Sequence, residues 1–180
     1  MDHNLENVYH ISEQYHKWQL YGISDDYFQI HILDVLYRAI TKANQLWLDD
    51  NIITKIKICA LLHDVLEDTD IDSDYLKSQI WEENYQNAYI LSIKNLDWSK
   101  KTKDFYYQSI SQNIVTKITK FADRLSNISA IKNLKFDNTY TAKAYKLYDK
   151  YNNDMKYIYK YDILPSELQI ALDKTKNYIY

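Results

Sequence analysis

Glycine, proline and cysteine are nearly absent from this chain of 180 residues, which has one of each. Hairpins and tight turns draw heavily on glycine and proline, so this scarcity argues against a strand-rich or turn-rich fold. It favours long helices joined by polar connections. The single cysteine, Cys59, excludes an intramolecular disulfide, and its place in the apolar run IKICALL predicts a buried, unreactive thiol.

Long hydrophobic runs and a basic stripe are also absent. No stretch of about 18 consecutive apolar residues occurs, and the N-terminal segment has no apolar run, so neither a membrane span nor a secretion signal is predicted. The 22 basic residues are scattered along a chain of formal net charge -3, unlike those of a general nucleic-acid binder. We therefore expect a cytoplasmic protein that binds neither membrane nor nucleic acid. The oligomeric state stays open.

Hydrophobic residues are plentiful and recur at helical spacing. They make up 46% of the chain, which is enough for one sizeable core. The spacing predicts helices over 30–40 and 52–62, which we expect to form that core. No repeat or linker marks a boundary, so 1–180 are predicted to form a single domain. The expected fold is all-α, with about eight or nine helices and no sheet.

Individual residues predict where some helices begin and end. A first helix is expected over about 5–20, with Gly22 free to adopt a left-handed cap conformation. Asp72 or Ser73 is expected to cap a later helix, because both side chains can accept a hydrogen bond from a backbone N–H of its first turn. Pro165 suits the first turn of a final helix, where its missing N–H needs no partner.

The most informative polar residues are His63 and Asp64, which end the apolar run CALL. A carboxylate beside a core helix needs compensation, and metal coordination would supply it. Glu67 and Asp68 follow His63 and Asp64 by four residues each, so on a continuing helical turn they would face the same pocket.

His31 and Asp123 likewise interrupt apolar helix faces, in YFQIHILDVL and ITKFADRLSNI. Together with His63 and Asp64 they offer two imidazoles and two carboxylates, a mixed nitrogen and oxygen set suited to Mn, Fe or a similar divalent ion. One cysteine excludes a thiolate-rich structural zinc site. Taken alone, His31 is more typical of a satisfied core residue, and Asp123 of a local ion pair with Arg124.

The order of these residues resembles a known superfamily. His31, the adjacent His63 and Asp64, and then Asp123 are similar to the H...HD...D pattern of the HD-domain phosphohydrolases.

Longer segments narrow this resemblance to the RelA/SpoT-type (p)ppGpp hydrolases, among which it is closest to the small alarmone hydrolases. ALLHDVLEDTD, at 60–70, resembles their HDxxEDT segment, and ITKFADRLSN, at 118–127, resembles their IKxADRxxN segment. YHKWQ at 15–19 and YFQIH at 27–31 are similar to AHxxQ and PYxxH. The matching motifs lie within 15–150.

The resemblance implies an HD-type helical bundle that holds one divalent metal ion, expected to be Mn²⁺. It implies four metal ligands: His31, His63, Asp64 and Asp123. It implies that Glu67 and Asp68 are catalytic and assist hydrolysis of the substrate's 3'-diphosphate. The implied substrate-binding residues are Asn127 and, through a looser match of KLYDKY, Tyr148.

One departure from the family concerns substrate recognition. The family usually has a basic pair between its AHxxQ and PYxxH segments, whereas this chain has no Arg or Lys over 20–30. Tyr21 could stack on a base there, but it cannot neutralise a phosphate. The lysines of 94–103 could meet phosphates, although such a run more often forms a solvated face. The tyrosines of 148–161 are more typical of core packing than of a stacking platform.

Three functions follow from these observations. The first is a guanosine 3',5'-bis(diphosphate) 3'-pyrophosphohydrolase, a metal-dependent enzyme with a small nucleotide as its substrate. The second is an HD hydrolase of another nucleotide, for example a phosphatase acting on the 2'-phosphate of NADPH. The third is a non-catalytic nucleotide sensor, against which the intact Glu67-Asp68 pair argues.

Overall fold

A computed structural model describes residues 3–21, 25–95, 99–135 and 141–179 of the chain. In this part of the molecule helices dominate, which confirms the all-α prediction. The α-helices are α1 (His3–His16), α2 (Leu33–Gln45), α3 (Asp50–Leu62), α4 (Val65–Asp68), α5 (Ser73–Gln79), α6 (Glu82–Leu91), α7 (Lys103–Ser111), α8 (Ile114–Lys135), α9 (Thr141–Lys160) and α10 (Pro165–Ile179).

Three helices form the centre of the bundle. α2 packs against both α3 and α8, and α8 also packs against α9 and α10. From Ile56 onward the apolar positions of α3 are buried, and Ile56, Cys59 and Leu62 are not exposed to solvent at all. Full burial of one such aliphatic side chain contributes about 1.5–3 kcal/mol. The central position of α2, α3 and α8 matters for the site, because the predicted metal ligands lie on or directly beside these helices.

Several local predictions are confirmed. The side chain of Asp72 accepts a hydrogen bond from the N–H of Tyr75 and caps α5. α10 begins at Pro165. Cys59 is buried and has no disulfide partner among the described residues. In the described segments, no helix has both the length and the apolar character that crossing a bilayer would require.

The segment after α1 differs from the prediction. α1 ends at His16, and Trp18 has a φ of 76°, so a tryptophan takes the left-handed conformation expected of Gly22. Gly22 itself lies outside the described residues. The prediction of no sheet is wrong in one detail, since Leu20–Tyr21 (β1) pairs antiparallel with Asp25–Asp26 (β2). Two-residue strands have no alternating pattern long enough to be recognised in a sequence.

Candidate metal centre and cavity

His31 lies on a short π-helix, Phe28–Ile32, directly before α2. The N–H of Leu33 bonds to the carbonyl of Phe28, five residues earlier, which is the spacing of a π-helix. The imidazole is buried, and its Nδ1 lies 3.3 Å from Oγ of Ser126 on α8. Nε2 is therefore the nitrogen available to a ligand.

His63 follows the last residue of α3 and is also buried. Its Nδ1 donates a hydrogen bond of 2.8 Å to the carbonyl of Ala60. Because Nδ1 carries the proton, the neutral ring presents a lone pair at Nε2. A hydrogen bond of this kind orients the histidine ligands of many metal sites.

The four predicted ligands come together in the fold. Nε2 of His63 lies 3.4 Å from Nε2 of His31 and 2.9 Å from Oδ2 of Asp64. Nε2 of His31 lies 3.4 Å from Oδ2 of Asp64 and 3.6 Å from Oδ1 of Asp123. Ligand atoms that share one ion at about 2.1 Å lie roughly 3 to 3.5 Å from each other. The ligand atoms of His31, His63 and Asp123 all lie within 4.8 Å of one another, so these three residues fit one divalent ion, and Asp64 lies beside both imidazoles.

The charges of these groups are strongly coupled. Burial alone would lower the pKa of His63, but the adjacent carboxylate of Asp64 and the charge of Asp123 raise it to about 9. Burial alone would raise the pKa of Asp64, but His63 and His31 hold it well below its ordinary value. The carboxylates thus favour a positive charge at this point of the fold. A metal ion would compete with the proton for Nε2 of His63.

Glu67 and Asp68 lie on the single turn of α4, directly after the two ligands at the end of α3. The N–H of Asp68 bonds to the carbonyl of Asp64, as in a continuing helical turn. Oε2 of Glu67 accepts a hydrogen bond of 3.0 Å from the N–H of Ile93. Partial burial, together with the charges of Asp64 and Glu67, raises the pKa of Asp68 to about 6. Both carboxyl groups line the same cavity as His31, Asp64 and Asp123, with a volume of about 360 Å³.

Two residues that sequence reasoning did not assign hold the ligands in place. The hydroxyl of Tyr27 donates a hydrogen bond of 2.6 Å to Oδ2 of Asp64. The buried ammonium of Lys120 donates one of 2.6 Å to Oδ2 of Asp123. Tyr27 lies in the segment YFQIH, and Lys120 lies in ITKFADRLSN. The resemblance of these two segments to the family's motifs was the sequence signal that could have singled out both residues.

A comparison with solved structures relates this arrangement to known proteins. A structure described as a metazoan orthologue of SpoT, which hydrolyses ppGpp and has a role in starvation responses, matches with a TM-score of 0.61. The match covers 97% of this chain and 94% of that chain, at 17% sequence identity. This chain therefore has the same fold as that ppGpp hydrolase. No protein-family model matches it, and no curated protein matches it by sequence.

The two residues expected to bind substrate lie in different places in this fold. Asn127 lines the cavity, and its amide nitrogen bonds to both the carbonyl and the carboxylate of Asp123. Tyr148 is only 7% exposed and belongs to the hydrophobic core, so it is not brought together with the others. Tyr151, about one helical turn further along α9, lines the cavity instead.

A second cavity adjoins the first on the side of Asn127 and Tyr151, which line both. Its volume is about 630 Å³, and its wall includes Tyr21. The ring of Tyr21 is stacked on the ring of His31, with centroids 5.1 Å apart and an angle of 10° between the planes. Its hydroxyl donates a long hydrogen bond of 3.4 Å to the side-chain oxygen of Asn127. Tyr21 therefore contacts both a predicted ligand and a predicted substrate-binding residue.

Basic residues line the smaller cavity at positions that sequence reasoning left unassigned. Lys100 and Lys103 come from the connection before α7 and the start of that helix, whereas Arg124 and Lys150 come from α8 and α9. Asp154 lies between two of them: its side chain is within 2.6 Å of Lys103 and 3.4 Å of Arg124. Contacts between segments so far apart in the chain leave no periodic signal in a sequence.

Proposed function

We propose that the protein is a metal-dependent phosphohydrolase that removes pyrophosphate from the 3' position of guanosine 3',5'-bis(diphosphate). One observation carries the proposal. Four side chains converge, those of His31, His63, Asp64 and Asp123, and the carboxyl groups of Glu67 and Asp68 line the polar cavity beside them. An HD-type ppGpp hydrolase fold supports the same reaction class. A substrate of this kind is met in the cytoplasm, where the sequence predicts the protein to act.

The four-residue cluster is proposed to hold one divalent ion, with Mn²⁺ expected because two imidazoles join two carboxylates. Such an ion lowers the pKa of a coordinated water and neutralises phosphoryl oxygens. Tyr27 and Lys120 keep the carboxylates of Asp64 and Asp123 oriented through their hydrogen bonds.

Glu67 and Asp68 are proposed to manage the protons of the reaction. The pKa of Asp68, raised to about 6, lets its carboxyl exchange a proton near neutral pH. The Glu67 carboxylate is held by the N–H of Ile93, which fixes its position in the cavity wall. Both residues line the cavity, and neither belongs to the four-residue cluster. We therefore expect Glu67 and Asp68 to act in turnover without binding the metal ion. A pure sensor would gain nothing from this pair.

The second cavity, beyond Asn127, is proposed to receive the nucleoside. Tyr21 and Tyr151 offer aromatic surface there, and Asn127 joins this space to the ligand cluster. The presence of Tyr21, in a segment with no basic residue, favours one alternative function. That alternative is hydrolysis of a different nucleotide, such as removal of the 2'-phosphate of NADPH.

A substrate panel tests this proposal. Protein loaded with Mn²⁺ is incubated with ppGpp, NADPH and the common nucleoside triphosphates, and the products are identified by chromatography. We expect release of pyrophosphate from ppGpp with the highest kcat/KM. Release of phosphate from NADPH with a higher kcat/KM would replace the main proposal by the alternative. Absence of turnover on every substrate, with nucleotide still bound, would make the protein a sensor.

A further inference from the structure

Gln19 connects the end of the first helical segment to the backbone of Asp68. Its side-chain nitrogen, Nε2, donates a hydrogen bond of 2.6 Å to the carbonyl oxygen of Asp68. The two residues are 49 positions apart, so this contact exists only in the folded chain. It gives the segment YHKWQ a direct contact with one of the two carboxyl residues proposed to act in turnover.

The Asp68 carbonyl lies where a helix leaves its own backbone without partners. Asp68 is the last residue of α4, and the chain is extended at Thr69, the next residue. The last carbonyl groups of a helix have no N–H from a following turn to bond them, so they need another donor. The Gln19 amide supplies that donor from a distant part of the chain.

The amide of Gln19 is oriented by His16, whose imidazole is buried. Nδ1 of His16 lies 2.8 Å from Oε1 of Gln19. Because the amide nitrogen is directed at the Asp68 carbonyl, the amide oxygen faces the imidazole, and Nδ1 carries the proton and donates it. The His16 ring packs against the ring of Tyr27, with centroids 5.2 Å apart. A buried group thus fixes the half-buried side chain of Gln19.

The backbone of Gln19 is held as well. Its N–H donates to the carbonyl of His16, and its carbonyl accepts a hydrogen bond from the N–H of Tyr27, both at 3.0 Å. Between His16 and Gln19, the φ of 76° at Trp18 turns the chain through a region that is unfavourable for a bulky residue. Fixed at both its backbone and its side chain, Gln19 can hold the Asp68 carbonyl at one position.

Gln19 lies behind Asp68 and not in the candidate site itself. Asp68 lines two cavities, the one of about 360 Å³ beside the ligand cluster and another of about 780 Å³. Among the described residues that line them, Gln19 belongs to the larger of the two and not to the smaller. It can therefore act on the position of Asp68 without touching a substrate at the ligand cluster.

We propose that Gln19 is a positioning residue, which caps the end of α4 at the Asp68 carbonyl and thereby fixes the direction of the Asp68 carboxyl in the smaller cavity. This role rests on the function proposed above, in which that carboxyl takes part in turnover. His16 supports the same link, because it orients the Gln19 amide.

Gln19→Met tests this role, since methionine has a similar length but cannot donate a hydrogen bond to the Asp68 carbonyl. On the substrate that the Mn²⁺-loaded parent prefers, we expect a kcat about tenfold lower, because a misplaced reacting group slows the chemical step. The KM and the metal content should stay parental. Gln14→Met, which changes an exposed glutamine of the same helix, is the control and should match the parent. A parental kcat in Gln19→Met would overturn the role.

A double-mutant cycle separates positioning of Asp68 from a general effect on the fold. Gln19→Met added to Asp68→Asn should lower kcat no further than Asp68→Asn does alone, because the carboxyl that Gln19 positions is already gone. If Gln19→Met causes the same loss in both backgrounds, it does not act through Asp68, and the proposal is wrong. Thermal unfolding checks that every variant is folded.

Carbon-13 NMR of the Asp68 carbonyl reports the hydrogen bond without any substrate. Its chemical shift should change in Gln19→Met and stay parental in Gln14→Met; an unchanged shift in Gln19→Met would overturn the link. If the parent hydrolyses no substrate of the panel, the proposed function fails, and the carbonyl shift alone decides whether Gln19 holds Asp68. If the parent hydrolyses ppGpp and Gln19→Met is equally active, the proposed function stands and the positioning role fails.

Discussion

The ligand cluster and the rim of the cavity are built from different parts of the molecule. His31, His63 and Asp123 are at most 4% exposed, and they lie on or beside the central helices α2, α3 and α8. Lys100 and Tyr21 lie on connections between helices, near the solvent. Rigid elements hold reacting groups precisely, whereas loops tolerate change. The buried cluster can therefore stay in place while residues on these connections change.

Removing a ligand tests the buried side of this comparison and has the largest expected effect. His63→Ala and Asp123→Ala should lose the bound ion and nearly all activity, because each deletes one of the few donor atoms at the centre. Elemental analysis after loading with Mn²⁺ measures the metal content. His10→Ala, which removes an exposed histidine of α1, is the control and should match the parent. Parental metal content in both ligand variants would refute the ligand assignment.

Glu67→Gln and Asp68→Asn test whether turnover separates from metal binding. Both changes keep the size of the side chain, so we expect parental metal content and a single-turnover rate lower by about two powers of ten or more. Asp70→Asn is the control, since Asp70 lies two residues after the end of α4 and does not line the smaller cavity. Loss of metal in either variant would instead move that carboxylate into the ligand set.

Tyr21 connects the two regions, and its replacement should have a moderate effect. Tyr21→Ala removes the ring stacked on His31, so we expect weaker metal binding by a few-fold and a higher KM for the nucleotide. Tyr21→Phe keeps the ring and loses only a long hydrogen bond, so it should stay close to the parent. Tyr37→Ala, on the exposed face of α2, is the control. Metal titration and steady-state kinetics distinguish these outcomes; equal behaviour of the Ala and Phe variants would rule out a role for stacking.

The smallest expected effect is a pH-dependent change of stability at Asp68. Its pKa is raised to about 6 in the folded protein, above the ordinary value of about 3.9. Between these values the folded state binds more protons than the unfolded state, so stability falls as the pH rises. Without metal, Asp68→Asn should therefore have a higher Tm than the parent at pH 7.5 and an equal Tm near pH 3. A gain of the same size at both pH values would contradict this cause.

The sequence was a better guide to the buried region than to the rim. Apolar periodicity predicted α3, and the motifs predicted which polar residues would meet at its end. The sequence did not show which face of α9 would line the cavity. The loose match of KLYDKY to the family selected Tyr148, whereas Tyr151 lines the cavity. Lys100 and Lys150 are 50 positions apart, and only the folded chain brings them to one cavity.

The π-helix before α2 was not predicted either, because one extra residue in a turn does not disturb the apolar pattern enough to be seen. It has a consequence for how the protein tolerates insertions and deletions. Each residue of an α-helix turns the chain by about 100°. Deleting Ile30, an exposed residue of the π-helix, would convert the wide turn into an ordinary one and change the direction in which the side chain of His31 leaves it. The number of residues between Asp26 and Leu33 therefore helps to set where the His31 imidazole lies in the candidate metal centre.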